Sequence, residues 1–165
     1  MITLHKLNSQ PRDQFLITVG WVFERSPWVA ERAWEQRPFR DLNHLHSAMV
    51  AEVERASHRE QLALLRSHPD LGTRARMSAA STGEQSGAGL DRLTPDEYQR
   101  LQQLNTAYRQ KFGFPFLYAV KGSSKYDILR ALEQRLESTP EEEFREALNQ
   151  VYRIALFRLQ EVISS

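Results

Sequence analysis

Thr94-Pro95-Asp96-Glu97-Tyr98-Gln99-Arg100-Leu101-Gln102-Gln103-Leu104-Asn105-Thr106-Ala107-Tyr108-Arg109-Gln110-Lys111-Phe112-Gly113 is a helix written with both of its ends. The Thr94 hydroxyl is placed to cap the third helical amide, and Glu97 to return the bond to the Thr94 amide. Pro95 falls at the first helical position, where its missing N–H costs nothing. Tyr98, Leu101, Leu104, Tyr108 and Phe112 recur every three or four residues, which predicts one apolar face. Gly113 then supplies the left-handed stop.

The same grammar recurs outward. Ser124 to Asp127 predicts a box opening a helix to about Leu136, and Thr139 to Glu142 another that runs almost to the end of the chain. Asp41 opens a helix through about Ala56, and Arg59 to Ser67 reads as a helix ended by Pro69. Ser26-Pro27 opens one through Trp34. Asn8 and Ser9 are expected to cap another, with Pro11 in its first turn, to about Phe23. No segment alternates like a strand and none repeats. The fold expected is all-α, a single-domain helical bundle over residues 1–165. Trp21, Trp28 and Trp34 are expected as core anchors.

Two stretches fit no long helix. Pro69 to Leu93 carries Gly72, Gly83, Gly87 and Gly89, and a break of that length in a compact domain is functional or disordered. Phe112 to Ser124 is too apolar for a solvated loop and is expected to run buried. Its backbone then needs hydrogen-bond partners, and a polar ligand can be one of them.

Composition removes several classes of function. The 165 residues hold 22 Lys plus Arg against 21 Asp plus Glu, so no net field draws in nucleic acid or an anionic membrane. There is no cysteine, which excludes disulfides, thiolate metal ligands and a cysteine nucleophile. No apolar run approaches the roughly 18 residues of a membrane span. Residues 1–10 have no signal-peptide core, and Ile163-Ser164-Ser165 is not a peroxisomal address; a cytoplasmic location is the expectation. His44 and His46 lie two apart on an expected helix, about 160° around it. With His5, His58 and His68 elsewhere, the histidines give no metal-ligand spacing.

Three side chains stand out. His68 follows Leu64-Leu65-Arg66-Ser67, toward the core side of a helix C-terminus, where the dipole favours an imidazolium. It reads either as a helix-capping histidine or as a proton-transfer group. Arg158 lies seven residues from Val151, about 20° away on the wheel. That places it within the stripe of Phe144, Leu148, Val151, Ala155 and Val162, while Arg145 and Arg153 fall off it. A guanidinium there reads as an internal salt bridge, a snorkelling side chain or an anion site. Glu84 sits in Ser81-Thr82-Gly83-Glu84-Gln85-Ser86-Gly87-Ala88-Gly89, as a solvated loop acid or a site residue. No Gly-Lys-Ser/Thr follows those glycines, so they form no phosphate-binding loop.

Taken together, the segments resemble the family of 2-oxo-4-hydroxy-4-carboxy-5-ureidoimidazoline (OHCU) decarboxylases. The resemblance rests on Arg25-Ser26-Pro27-Trp28, Trp34-Glu35-Gln36-Arg37-Pro38-Phe39, His68-Pro69-Asp70-Leu71, Ser81-x-x-Glu84-Gln85-Ser86-Gly87-Ala88-Gly89-Leu90, Leu104-Asn105-x-x-Tyr108-Arg109-x-Lys111-Phe112-Gly113-Phe114-Pro115-Phe116, and Ile154-x-x-x-Arg158-Leu159, in that order. It implies an all-helical, cofactor-free carboxy-lyase that forms (S)-allantoin from OHCU in urate breakdown. It implies catalytic roles for His68 and Glu84. It implies substrate contacts for Pro69, Ser81, Thr82, Gly83 and Gln85, for the backbone of Phe116, Leu117, Tyr118, Ala119 and Val120, and for Arg158. No metal is implied, and a homodimer is an expectation, with aromatics near Trp28 and Phe39 expected at the surface. The sequence departs from the family at Tyr118, where a small aliphatic residue is common, and in the 12 residues between His68 and Ser81, fewer than in animal members.

Two other classes compete. A non-catalytic helical interaction module would use Phe112 to Val120 as a partner surface, and a metal-dependent hydrolase would need the scattered histidines to converge. A decarboxylase acting on a related ureido acid is the variant within the family.

Overall fold

The protein is described by a computed structural model covering residues 1–71 and 89–164. These residues are mostly helical: α1 (Leu4–Ser9), α2 (Arg12–Val19), α3 (Trp28–Ala33), α4 (Leu42–Arg55), α5 (His58–Ser67), α6 (Pro95–Phe112), α7 (Lys125–Arg135) and α8 (Pro140–Val162). Single 3-10 turns cover Trp34–Gln36 and Leu90–Arg92. The only strands among the described residues are β1 (Ile2–Thr3) and β2 (Ile163–Ser164). They pair in parallel, Ile2 with Ile163 and Thr3 with Ser164. Two residues are too few for alternation to show, so no periodicity announces them.

The four helix starts signalled by Asp41, Thr94, Ser124 and Thr139 fall where they are expected. Thr94 caps α6 with Glu97 reciprocating, and Gly113 ends it at φ 81°. Ser124 and Asp127 form the box of α7. At α8 the Thr139 amide donates to Glu142 Oε1 at 2.9 Å and the Glu142 amide to Thr139 Oγ1 at 3.2 Å. Asp41 caps α4 through the His44 amide at 2.7 Å.

The N-terminal expectation fails. Asn8 and Ser9 belong to α1, which Thr3 caps, and the next helix starts at Arg12 and ends at Val19 rather than Phe23. The Asn8 carboxamide is committed elsewhere. Its Nδ2 donates to the Phe39 carbonyl at 2.9 Å, and its Oδ1 accepts from the Phe39 amide at 2.8 Å. The Arg37–Pro38 peptide before that pairing is cis.

The chain forms two compact units, Met1–Ser67 with Val151–Ser165, and His68–Gln150. In the first, α3 packs on α2 and α4 around Phe15, Val19, Phe23, Leu45, Met49 and Leu64. Phe39 is buried and stacks on Phe15 with ring centroids 6.1 Å apart, so it is not one of the surface aromatics expected for a dimer. The tryptophans are not core anchors either. Trp21 is 44% exposed, while Trp28 and Trp34 are half-buried beneath the guanidinium groups of Arg32 and Arg37, at 4.5 and 3.8 Å. In the second unit α6 packs on α7, and Leu101, Tyr108, Phe114, Phe116, Ile128, Leu132 and Leu148 form the core.

Candidate active site

His68 is the first residue past α5 and is buried, only 6% exposed. Pro69 after it is exposed. Asp70 Oδ2 receives Arg109 Nη1 of α6 at 3.3 Å, and the two line a cleft of about 310 Å³ with Gln102, Asn105, Thr106 and Gln110. Asn105 is 7% exposed, and neither its Nδ2 nor its Oδ1 has a hydrogen-bond partner among the described residues. A buried amide with both ends unsatisfied is rare in a folded protein. Position 105 lies four after Leu101 and three before Tyr108, so helical spacing alone marks it as an inward-facing polar misfit, a signal not used in the reading above.

Of the stretch Phe112 to Ser124, expected to run buried, the middle does so, while Gly113, Lys121, Gly122 and Ser124 are exposed. Phe114, Pro115, Phe116, Leu117 and Ala119 are all inside. Its backbone polar groups are partly matched from within. Arg135 Nη1 donates to the Leu117 carbonyl at 2.6 Å, and the Ala119 amide donates to Gln150 Oε1 at 2.8 Å. Those two groups are therefore engaged before any ligand arrives. The Tyr118 ring stacks over Phe116 at 5.9 Å, and its hydroxyl meets Ser123 Oγ at 3.1 Å. The unusual tyrosine is thus held against its own segment.

Behind this wall sits a charged cluster that no motif in the sequence announces. The Glu143 carboxylate, 1% exposed, pairs with Arg135 and accepts the Tyr108 hydroxyl. Burial pushes the Tyr108 hydroxyl far above its ordinary pKa, so it stays protonated and donates. The Arg135 guanidinium lies 4.5 Å from the Phe116 ring centroid. A signal for Glu143 exists in the helical phase: it precedes Ala147 by four residues and Val151 by eight, on the buried side of α8.

Arg158 belongs to the first unit. Its side chain and that of Glu24 are each 27% exposed, and Arg158 Nη1 meets Glu24 Oε2 at 3.0 Å. The same nitrogen donates to the carbonyls of Val22 at 3.2 Å and Trp21 at 3.4 Å. The internal salt bridge anticipated among the readings of Arg158 therefore exists. Among the described residues every bond it makes uses Nη1; Nε and Nη2 make none. The guanidinium lies 5.7 Å from the Trp21 ring centroid. It lines a cleft of about 500 Å³ with Leu16, Gly20, Trp21, Glu24, Arg25 and Pro27. Arg25 holds a left-handed backbone at φ 48°. Glu24 lies in a turn 134 residues from Arg158, and no periodicity points to it.

The expected site residues Ser81, Thr82, Gly83, Glu84 and Gln85 lie outside the described residues. So does most of the linker between His68 and Ser81. Among the described residues no group of three His, Asp or Glu side chains is arranged to hold a metal ion. His44 Nδ1 accepts the Arg40 amide at 3.0 Å, and His46 Nε2 donates to the Tyr152 carbonyl at 2.7 Å. No helix of the described residues is long and apolar enough to cross a membrane.

Comparison with known proteins gives this arrangement its relatives. The model of the OHCU decarboxylase family matches residues 8–160. A 2-oxo-4-hydroxy-4-carboxy-5-ureidoimidazoline decarboxylase of Halalkalicoccus jeotgali is 47% identical over 161 residues, covering 98% of this chain and 92% of that protein. The protein of the same name from Haloferax volcanii is 47% identical over 164 residues, covering 99% and 98%. A crystal structure of (S)-allantoin synthase superposes with a TM-score of 0.83 at 35% identity. It covers 98% of this chain and 54% of the solved one.

Proposed function

This chain belongs to the OHCU decarboxylase family, and we propose from that premise that it is a carboxy-lyase converting OHCU to (S)-allantoin in urate degradation. The observation that carries the reading is the 47% identity, sustained over nearly the whole of both chains, to proteins named for this reaction. Residues 1–165 are read as one domain of the family, acting in the cytoplasm.

The reaction asks little of a cofactor. The carbon that loses CO2 is bonded to an imine carbon. As the C–C bond breaks, its electron pair forms a C=C bond and the imine nitrogen takes a proton. The resulting enol then loses its hydroxyl proton while the former imine carbon gains one, on a single face. The protein must orient the carboxylate, move protons and choose that face. His68 is assigned the proton transfers and Glu84 the tuning of its charge. Burial at the end of α5 supports the first assignment, since it keeps the imidazole away from bulk water. Arg158 is assigned a substrate oxygen. Its Nε–H and Nη2–H offer a side-on fork to a planar acceptor, and all three of its protein bonds leave that fork open.

The test is stereochemical. OHCU is generated in situ from urate with urate oxidase and hydroxyisourate hydrolase, the protein is added, and circular dichroism is followed. A rapid one-handed allantoin signal is expected. Optically silent decay at the spontaneous rate would refute the activity and favour the interaction-module reading.

A further inference from the structure

We propose that Glu24 is a positioning and specificity-determining residue of the decarboxylation, acting through Arg158 to make that arginine a ligand for a neutral carbonyl oxygen rather than for the departing carboxylate. The inference rests on the proposed activity and on the place given to Arg158 within it.

Three acceptors converge on one nitrogen of the guanidinium: Glu24 Oε2 at 3.0 Å, the Val22 carbonyl at 3.2 Å and the Trp21 carbonyl at 3.4 Å. Because the guanidinium is planar and rigid, fixing Nη1 also fixes the direction of the Nε/Nη2 edge. Glu24 is itself held. Its carbonyl accepts the Ser26 hydroxyl at 2.9 Å and lies 2.8 Å from the Ser67 hydroxyl, whose single proton it shares with the Leu64 carbonyl at 2.7 Å. Ser26 is buried, and Ser67 is the last residue of α5, directly before His68. The carboxylate therefore stands on a backbone held by the buried Ser26 hydroxyl, and the arginine it holds lines the cleft of about 500 Å³ beside Trp21 and Arg25.

Charge then decides what the edge prefers. An unpaired guanidinium would bind the substrate carboxylate most tightly. That group loses its charge as CO2 leaves, so the attraction would stabilise the ground state over the transition state and slow the reaction. Arg158 is already paired with a carboxylate, which makes the couple formally neutral. Its open edge can still donate two hydrogen bonds, but it pulls less on an anion. A ring carbonyl conjugated to the imine gains electron density as CO2 departs, so two donors aimed there strengthen in the transition state.

Glu24→Gln tests this, because it keeps the shape and an oxygen acceptor while removing the charge. Two readouts are taken on the full chain, kcat and KM for OHCU by circular dichroism, and the affinity for acetate by tryptophan fluorescence, Trp21 being 5.7 Å from the guanidinium. In Glu24→Gln, kcat and KM are both expected to fall, and acetate to bind more tightly, each by roughly two- to fivefold for a partly exposed pair. The gain in acetate affinity should vanish in Glu24→Gln/Arg158→Met, and Glu24→Asp should bind acetate as the wild type does. A kcat that falls with KM unchanged or raised, and no gain for acetate, would mark a structural prop and overturn the role. So would wild-type values in both readouts. If the wild type itself forms no optically active allantoin, the proposed activity fails, while the acetate arm still decides whether Glu24 restrains Arg158 as an anion site.

Discussion

Arg135 and Glu143 form an ion pair inside the second unit, with the carboxylate 1% exposed and the guanidinium spanning from it to the Leu117 carbonyl. A buried charge that loses its partner costs roughly 3–5 kcal/mol, far more than an intact pair contributes over a hydrophobic replacement. Arg135→Met is therefore expected to destabilise by about that amount in urea unfolding. Arg135→Met/Glu143→Leu should recover most of it. A double variant no more stable than the single one would show that the Leu117 carbonyl and the Tyr108 hydroxyl, both left without partners, weigh more than the unpaired charge.

His68→Asn should keep the helical far-UV spectrum and unfolding midpoint close to those of the wild type. Its OHCU turnover above the spontaneous rate is expected to drop on the order of 100- to 10,000-fold, the usual cost of removing a general acid–base group. Full activity in this variant would remove His68 from the mechanism.

The pH dependence of stability carries a signature of His46. Burial disfavours its charged form and lowers its pKa, against a smaller opposing effect of the bond to the Tyr152 carbonyl. Above its ordinary pKa of about 6.5 both folded and unfolded chains hold the neutral ring, and the stability contribution is complete. As pH falls below that value the unfolded chain takes up a proton that the folded one refuses, so stability declines until the lowered folded pKa is reached. Urea midpoints measured from pH 8 down to pH 5 should fall less steeply in His46→Gln than in the wild type. Parallel curves would mean that the burial of His46 is not maintained in solution.

Asn105→Leu replaces a buried amide that has no hydrogen-bond partner among the described residues with an apolar side chain of similar volume. Leaving such a group unsatisfied costs about 1–3 kcal/mol, so the variant is expected to be more stable by roughly 1 kcal/mol, a few degrees in melting temperature. A loss of OHCU turnover in that stabilised protein would assign the amide to the ligand. A lower melting temperature would mean that the amide is satisfied in solution.

What is legible in the sequence follows from the range of the forces involved. Capping is local chemistry within four residues, and Thr94, Ser124, Thr139 and Asp41 each carry it openly. Asn8 has equal capping chemistry and misleads, because Phe39, 31 residues away, outcompetes a local amide with a two-point pairing. The burial of Phe114, Phe116, Leu117 and Ala119 is readable from composition, but composition overextends it to Ser124, since Lys121, Gly122 and Ser124 are exposed. Which residues satisfy that backbone is not, since Arg135 and Gln150 come from different helices.

Among the site residues, Arg158 is marked by its misfit on an apolar stripe, and the fold supplies the misfit's cause in Glu24. Glu143 and Asn105 share that kind of signal, polar side chains at inward-facing helical positions. Glu24 offers none. A charge in a turn has no phase to violate, and only the folded chain brings it to its partner.

The parallel pairing of Ile2 with Ile163 has a consequence for how the polypeptide can be rewired. Two distant stretches of backbone that lie side by side can be joined by about six glycine and serine residues without strain. New ends can then be opened at the exposed Lys121-Gly122 turn, where Gly122 has φ 84° and a Cβ added to it would meet nothing within 4 Å. The same proximity suits the fold to being spliced whole into a surface loop of a host protein, since both seams would fall at one spot.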